Sequence, residues 1–193
     1  AKLAVSAVAG MPTPVVTEPG LPAMRNMNVR AIIRRYQDSI SMVAKTRVPV
    51  IAAISGQCLG GGVDLSSACD FRFASRDANM SIKEAHIGIV ADLGSLQRVG
   101  PIVGQGILRE WTYTGRNVAA AEALEAKFYN KVFDTQDLVV EHALSVASDI
   151  AKKSSPIAVQ GAKEMINFET EAQAQKGLTT CSCSTPPSSS LTT

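Results

Sequence analysis

Val48-Pro49-Val50-Ile51-Ala52-Ala53-Ile54-Ser55-Gly56-Gln57-Cys58-Leu59-Gly60-Gly61-Gly62-Val63-Asp64-Leu65 decides how the rest of the chain is read. The apolar run from Val48 to Ile54 predicts a strand, and Ser55 to Leu59 bridges it to three consecutive glycines. Asp64-Leu65-Ser66-Ser67-Ala68-Cys69-Asp70 then has the mix of small and apolar residues of a helix. Strand, glycine turn and helix together bring backbone N–H groups close to a ligand at a helix N-terminus. Gly56 and Gly61 have part of a phosphate-loop spacing, but Gly62-Val63 stands where Lys-Ser/Thr is required, so a nucleotide P-loop is rejected. What remains is a turn able to hold an oxyanion on its N–H groups, or one that only packs a strand tightly against a helix.

Working outward, two further acids follow the turn. Glu84 comes after a short apolar strand and before Gly88, and Asp92 stands at the start of the next helix with Gly94 in its first turn. Asp64 itself lies where a helix dipole favours a carboxylate. Each acid alone is ordinary for a helix start or a surface. Facing one pocket, they would suit proton transfer.

The whole chain sets wider bounds. Its 193 residues fit one domain with a real core, and 46% hydrophobic with 19% charged residues is an ordinary globular composition. A net charge of +2 gives no argument for a polyanionic partner. No apolar run reaches the roughly 20 residues of a membrane span. Ala1 to Gly10 is small and apolar; a weak signal segment and a trimmed chain both fit it. Cys58, Cys69, Cys181 and Cys183 are distributed as reduced thiols rather than a disulfide framework. Two histidines, His86 and His142, and no paired C-x-x-C argue against a structural zinc site, so no metal is expected.

Three regions emerge. Residues 1–28, with Pro12, Pro14, Pro19 and Pro22, read as a proline-rich irregular segment. Residues 29–170 read as the folded core, opening with a helix to Lys45 whose apolar face is Val29, Ile32, Ile33, Tyr36, Ile40 and Val43. Arg30, Arg34 and Arg35 take its other side and read as a solvated face, with a phosphate contact as the alternative. Short strands are expected at Phe71–Ala74, Met80–Ile82 and Lys131–Phe133. Helices are expected over 93–109, broken near Pro101 and Gly104, over 118–126 and 138–153, and from Ser154-Ser155-Pro156 to about Glu169. Residues 171–193 read as a Ser/Thr/Pro-rich disordered tail. Trp111, Tyr113 and Phe128 read as core or interface residues, and the absence of G-x-S-x-G gives a serine hydrolase little support.

Val50-Ile51-Ala52-Ala53-Ile54-x-Gly56-x-Cys58-Leu59-Gly60-Gly61-Gly62-Val63-Asp64-Leu65, continued by Ala68-Cys69-Asp70-Phe71-Arg72, Ala78, Lys83-Glu84, Ile87-Gly88 and Leu96-Gln97-Arg98-Val99, resembles the signature of the enoyl-CoA hydratase/isomerase (crotonase) superfamily. Thr114-Gly115-Arg116 and Ala121-x-Ala123-Leu124 are similar to that family too, and the likeness covers roughly Tyr36 to Asn167. It implies an α/β fold, a crotonase-like spiral of repeated ββα units. Nothing in Ala1–Asn28 resembles the family's N-terminal strand-helix-strand region, and the tail does not resemble its closing helices. The expectation is therefore a chain lacking both, a fragment or altered reading frame whose activity as written is in question.

Acids at the positions of Asp64, Glu84 and Asp92 resemble the Δ3,5-Δ2,4-dienoyl-CoA isomerase branch. That likeness implies an acyl-CoA thioester as substrate, with coenzyme A part of the substrate and no separate cofactor. It implies an oxyanion N–H at Gly61, flanked by Gly60 and Gly62. Glu84 would remove the C2 proton, Asp92 would deliver one at C6, and Asp64 would tune Glu84. It also implies a homotrimer or hexamer in mitochondria or peroxisomes, with no targeting signal visible at Leu191-Thr192-Thr193. An enoyl-CoA hydratase, a Δ3-Δ2-enoyl-CoA isomerase, an inactive fragment and a non-catalytic RNA-binding crotonase-fold protein are the alternatives. Asp92 argues against the first two, and the near-neutral charge against the last.

Overall fold

The computed structural model describes residues 22–181, with side chains from 29 to 179. The irregular reading of 1–21, the signal-like start and Cys183 lie outside the described residues. Helix α1 spans Pro22–Lys45, beginning seven residues before the apolar periodicity that starts at Val29. Proline suits a first helical turn, where its missing N–H would have had no partner, so the proline-rich segment gives way to helix before residue 28. Ile40 and Ala44 of α1 are buried with Ala68, while Val29 stays exposed, as do Arg30, Arg34 and Arg35.

The next elements alternate between two sheets. β1 (Ile51–Ile54) lies in the first; Gly56, at φ 65°, turns the chain into β2 (Gln57–Leu59) of the second. Helix α2 (Gly61–Ser67) follows. β3 (Phe71–Ser75) returns to the first sheet, parallel to β1, and β4 (Asn79–Ser81) to the second, parallel to β2. A 3-10 turn (Glu84–Ile87), α3 (Ser95–Val103) and α4 (Gln105–Thr114) complete that unit. β5 (Val118–Ala119), α5 (Ala120–Glu125), β6 (Lys131–Phe133) and α6 (Gln136–Lys153) make the last circuit, β5 antiparallel to β4 and β6 parallel to β3. The sheet orders are β1-β3-β6 and β2-β4-β5. Each circuit thus adds a strand to both sheets and a helix outside them, the ββα spiral.

Between the sheets lies a core of Val63, Ala74, Met80, Ile82, Val99, Trp111, Val118, Phe128 and Tyr129. Trp111 and Phe128 are core as expected, whereas Tyr113 is 74% exposed. His142, on α6, packs 4.8 Å from the rings of Phe73 and Phe133. Asp70 and Arg72 are structural. Arg72 donates to the carbonyls of Cys69 (2.6 Å), Ser66 and Phe128, tying the end of α2 to the segment that leads into β6. Asp70 accepts from the Val50 N–H and from Lys163 Nζ, both at 2.7 Å.

The largest correction concerns the C-terminal end. Helix α7 spans Pro156–Cys181, where the sequence predicts an end near Glu169 and a disordered stretch from 171. Polar composition alone suggested disorder, but the segment's few anchors dock. Ala174 and Leu178 are buried, and Gly177 approaches Gln97 so closely that a β-carbon there would lie 2.8 Å from its Cγ. Buried polar contacts hold the rest of α7: Lys163 to Asp70 and to the Val48 carbonyl, Asn167 to the Ala44 carbonyl at 3.0 Å, and Glu171 to Arg98. Lys163 and Asp70 are removed from most of the water that would otherwise weaken the pair, and losing one partner strands the other charge. Lys163→Met should lower unfolding stability by about 3 kcal/mol in urea melts. The double variant Lys163→Met/Asp70→Leu should recover most of that loss.

Candidate functional site

β2 and β4 are parallel neighbours, with Leu59 paired to Ser81, so the loops leaving their C-terminal ends emerge side by side. In sheets of parallel strands ligands bind outside these ends. The first loop is the glycine turn; the second carries Glu84. The Gly60 N–H donates to the Ser81 carbonyl at 3.0 Å, tying the loops together. Gly60 adopts φ 47°, ψ −113°, a backbone region that side chains rarely enter. A β-carbon there would stand 2.9 Å from Glu84 Oε1, so the carboxylate rests directly on the glycine turn.

The Gly60 carbonyl accepts from the N–H groups of Val63 (2.7 Å) and Asp64 (3.1 Å). Gly61 and Gly62 come before them in the first turn, where a helix supplies no carbonyl to its own N–H groups. Gly61 is an exposed residue in that turn. The helix dipole adds positive potential there.

The three acids occupy graded depths. Asp64 is 1% exposed, and its Oδ1 accepts from the Ser95 N–H at 2.6 Å. Oδ2 is buried without a hydrogen-bond partner. Burial pushes the Asp64 carboxyl up to about 6; the Ser95 N–H opposes this, and the Glu84 charge adds to it. Glu84 and Asp92 are half-buried. Burial also raises both of their pKa values, and the Asp92 charge raises that of Glu84 further. The Glu84 charge thus acts on Asp64, and the Asp92 charge on Glu84, so the three acids form an electrostatic series, with Glu84 resting on the glycine turn. Asp92 lies in the turn before α3 rather than in the helix, with Gly94 as the N-cap at φ 131°. Gln37 of α1 fixes that turn by donating to the Asp92 carbonyl at 2.7 Å.

Ser95, Gln37 and the surroundings of Arg98 carry no role in the sequence reading. Arg98 enters that reading only within Leu96-Gln97-Arg98-Val99. Its place among Leu96, Val99 and Ile102 on an apolar helix was the available signal, since a charge there needs a buried partner. The larger of the two described cavities, about 500 Å³, lies elsewhere, under α7 between Asp70, Pro101, Ile102, Lys163 and Ile166. None of the three acids lines it. Among the described residues no group of three His, Cys, Asp or Glu is arranged to hold a metal.

Two outcomes test this geometry. Gly60→Ala should cost about 1–2 kcal/mol in unfolding stability through its left-handed backbone, and displace the Glu84 carboxylate. Asp64 holds its proton in the folded chain across pH 3.8 to about 6, where the unfolded chain releases it. Its contribution therefore makes stability fall as pH rises through that window and then level off, by about 3 kcal/mol in all. Asp64→Asn should remove that part of the pH dependence and unfold at higher denaturant than the parent at pH 7.

Comparison with known proteins places the chain in a family. The family described as enoyl-CoA hydratase/isomerase matches residues 23–182. The chain is 40% identical over 151 residues to the mitochondrial Delta(3,5)-Delta(2,4)-dienoyl-CoA isomerase of Rattus norvegicus, covering 78% of this chain and 46% of that protein. It is 41% identical over 150 residues to the peroxisomal Delta(3,5)-Delta(2,4)-dienoyl-CoA isomerase of Arabidopsis thaliana, covering 78% and 54%. The chain thus spans about half the length of the curated relatives it matches. Among solved structures, an enoyl-CoA hydratase from Bacillus anthracis superposes with a TM-score of 0.69 at 33% identity, over 91% of this chain and 66% of that one. The two-sheet spiral, the glycine turn between β2 and α2 and the extent of these matches agree: the chain belongs to the enoyl-CoA hydratase/isomerase family, with the crotonase fold.

Proposed function

We propose that this chain carries the catalytic core of a 3,5-dienoyl-CoA to 2,4-dienoyl-CoA isomerase acting in fatty-acid β-oxidation. The observation that carries this reading is two half-buried carboxyls, Glu84 and Asp92, acting on each other by charge, with Glu84 resting on the glycine turn that contains the exposed residue Gly61. The identity to dienoyl-CoA isomerases supports it.

In this mechanism the thioester carbonyl oxygen accepts from the Gly61 N–H. Removal of the C2 proton by ionised Glu84 moves charge onto that oxygen, where the N–H and the helix dipole hold it as an enolate. Protonated Asp92 then donates to C6, and the double bonds move from C3=C4 and C5=C6 to C2=C3 and C4=C5. One proton leaves C2 and one arrives at C6, so the substrate is isomerised with no net change. Glu84 ends protonated and Asp92 ionised; exchange with solvent resets them. The chemistry needs one acid charged and its neighbour neutral, and burial together with mutual repulsion separates two such carboxyls. Asp64, too deep to touch an acyl chain, acts on Glu84 by charge. The reaction requires no cofactor beyond the coenzyme A of the substrate.

Assembly as a homotrimer or hexamer is part of the proposal. Ile157, Met165, Ile166 and Phe168 of α7 are 71–84% exposed, an apolar series suited to subunit contact. The compartments of the relatives suggest mitochondria or peroxisomes.

A spectrophotometric assay with a 3,5-dienoyl-CoA beside a 2-enoyl-CoA tests the reading. Isomerisation of the dienoyl substrate without hydration of the enoyl one is expected. Asp92→Asn should lower dienoyl turnover by about a hundredfold or more while thioester binding persists. Hydration of the 2-enoyl-CoA, or unchanged turnover by Asp92→Asn, would overturn the assignment.

A further inference from the structure

Beneath the acid cluster lies a buried guanidinium that the proposed chemistry does not use. Arg98, on α3, is 7% exposed. Its Nε and Nη2 donate to the two oxygens of Glu171 on α7, at 2.9 and 3.1 Å, and Nη2 also donates to Ser41 Oγ of α1 at 3.0 Å. Gln175 of α7 donates to the same hydroxyl at 3.1 Å. The remaining nitrogen, Nη1, is buried without a hydrogen-bond partner. It presses against Gly94 so closely that a β-carbon there would lie 2.0 Å away. Gly94 is the residue before Ser95, whose N–H holds Asp64 Oδ1. Asp64 Oδ2 is likewise buried, an acceptor without a donor.

We propose that Arg98 is a positioning residue of this site: a buried countercharge to Asp64, set in place by Glu171 of the final helix. The proposal rests on Asp64 belonging to the thioester site. Among the described residues, the charged or titratable groups acting on Asp64 come from three elements. Glu84 of the 3-10 turn repels it, Arg98 of α3 attracts it, and Cys58 of β2 has a thiol pushed up to about 11 by burial, so it stays neutral. Arg98 is the single cation in that set. Its position depends on α7, because two of its three donor bonds end on Glu171. Docking of the final helix therefore reaches the acid cluster through one side chain. The flat fork of arginine matters as much as its charge, since it must serve Glu171 and Ser41 while Nη1 lies on Gly94.

Carboxyl-carbon NMR titration of Asp64 in the full chain tests this without turnover. Arg98→Gln should raise the Asp64 midpoint by about one pH unit. Glu171→Gln, whose amide oxygen still accepts from the guanidinium and keeps it in place but no longer neutralises it, should lower it. Arg98→Lys keeps the charge but not the fork that positions it and should give an intermediate midpoint, which keeps the proposal testable if Arg98→Gln fails to fold. Midpoints equal to the parent in Glu171→Gln and Arg98→Lys, with only unfolding stability reduced, would overturn it and leave Arg98 a packing residue. Parallel assays with 3,5-dienoyl-CoA separate the two claims: the expected shifts in a chain that turns nothing over would reject the reaction and keep the role of Arg98.

Discussion

Glu84 rests against the α-carbon of Gly60, and no other residue type could occupy that position without moving the carboxylate or straining the turn. Much follows from this contact. It requires β2 and β4 to be parallel and adjacent, so that the glycine turn and the Glu84 turn leave the sheet at the same edge. It requires α2 to start immediately after the turn, which leaves the N–H groups of Gly61 and Gly62 without helical partners beside the carboxylate. An anion-holding backbone and a proton-accepting side chain are thereby set next to each other by strand pairing alone.

Burying three acids in one neighbourhood works against folding. Asp64 is enclosed with a single hydrogen bond to one oxygen, and the other two carboxyls are pushed toward their neutral forms by burial. Such an arrangement persists only where the surrounding frame fixes it. Here the frame is polar as well as apolar: Gln37 holds the Asp92 backbone, Ser95 holds Asp64, and the Arg98–Glu171 and Lys163–Asp70 pairs fasten α7 beneath them. The same features that separate proton affinities in the cluster cost stability at neutral pH.

The sequence made the strand, glycine turn and helix legible because Val50–Ile54 is apolar, the glycines are consecutive and a helix-like mix follows. It also named the three acids, since each sits beside a turn marked by glycine. What it could not show was depth. Asp64, Glu84 and Asp92 look alike in a string, yet one is sealed and two are half open, a difference made by the packing of α3 over α2. The docked end of α7 was missed for a related reason. Residues 171–181 are mostly polar or small, and only contact with Gln97, Ser41 and Arg98 reveals that Glu171, Gln175 and Gly177 face inward. Buried polar pairing leaves no periodic hydrophobic trace, so reasoning from pattern reads it as disorder.

Deuterium incorporation addresses the division of labour between Glu84 and Asp92 most directly. With a 3,5-dienoyl-CoA in D2O, the parent chain should place deuterium at C6 of the 2,4-dienoyl product. Asp92→Asn should still exchange the C2 hydrogens of the substrate without moving the double bonds, and Glu84→Gln should do neither. Loss of C2 exchange in Asp92→Asn with retention in Glu84→Gln would contradict the account.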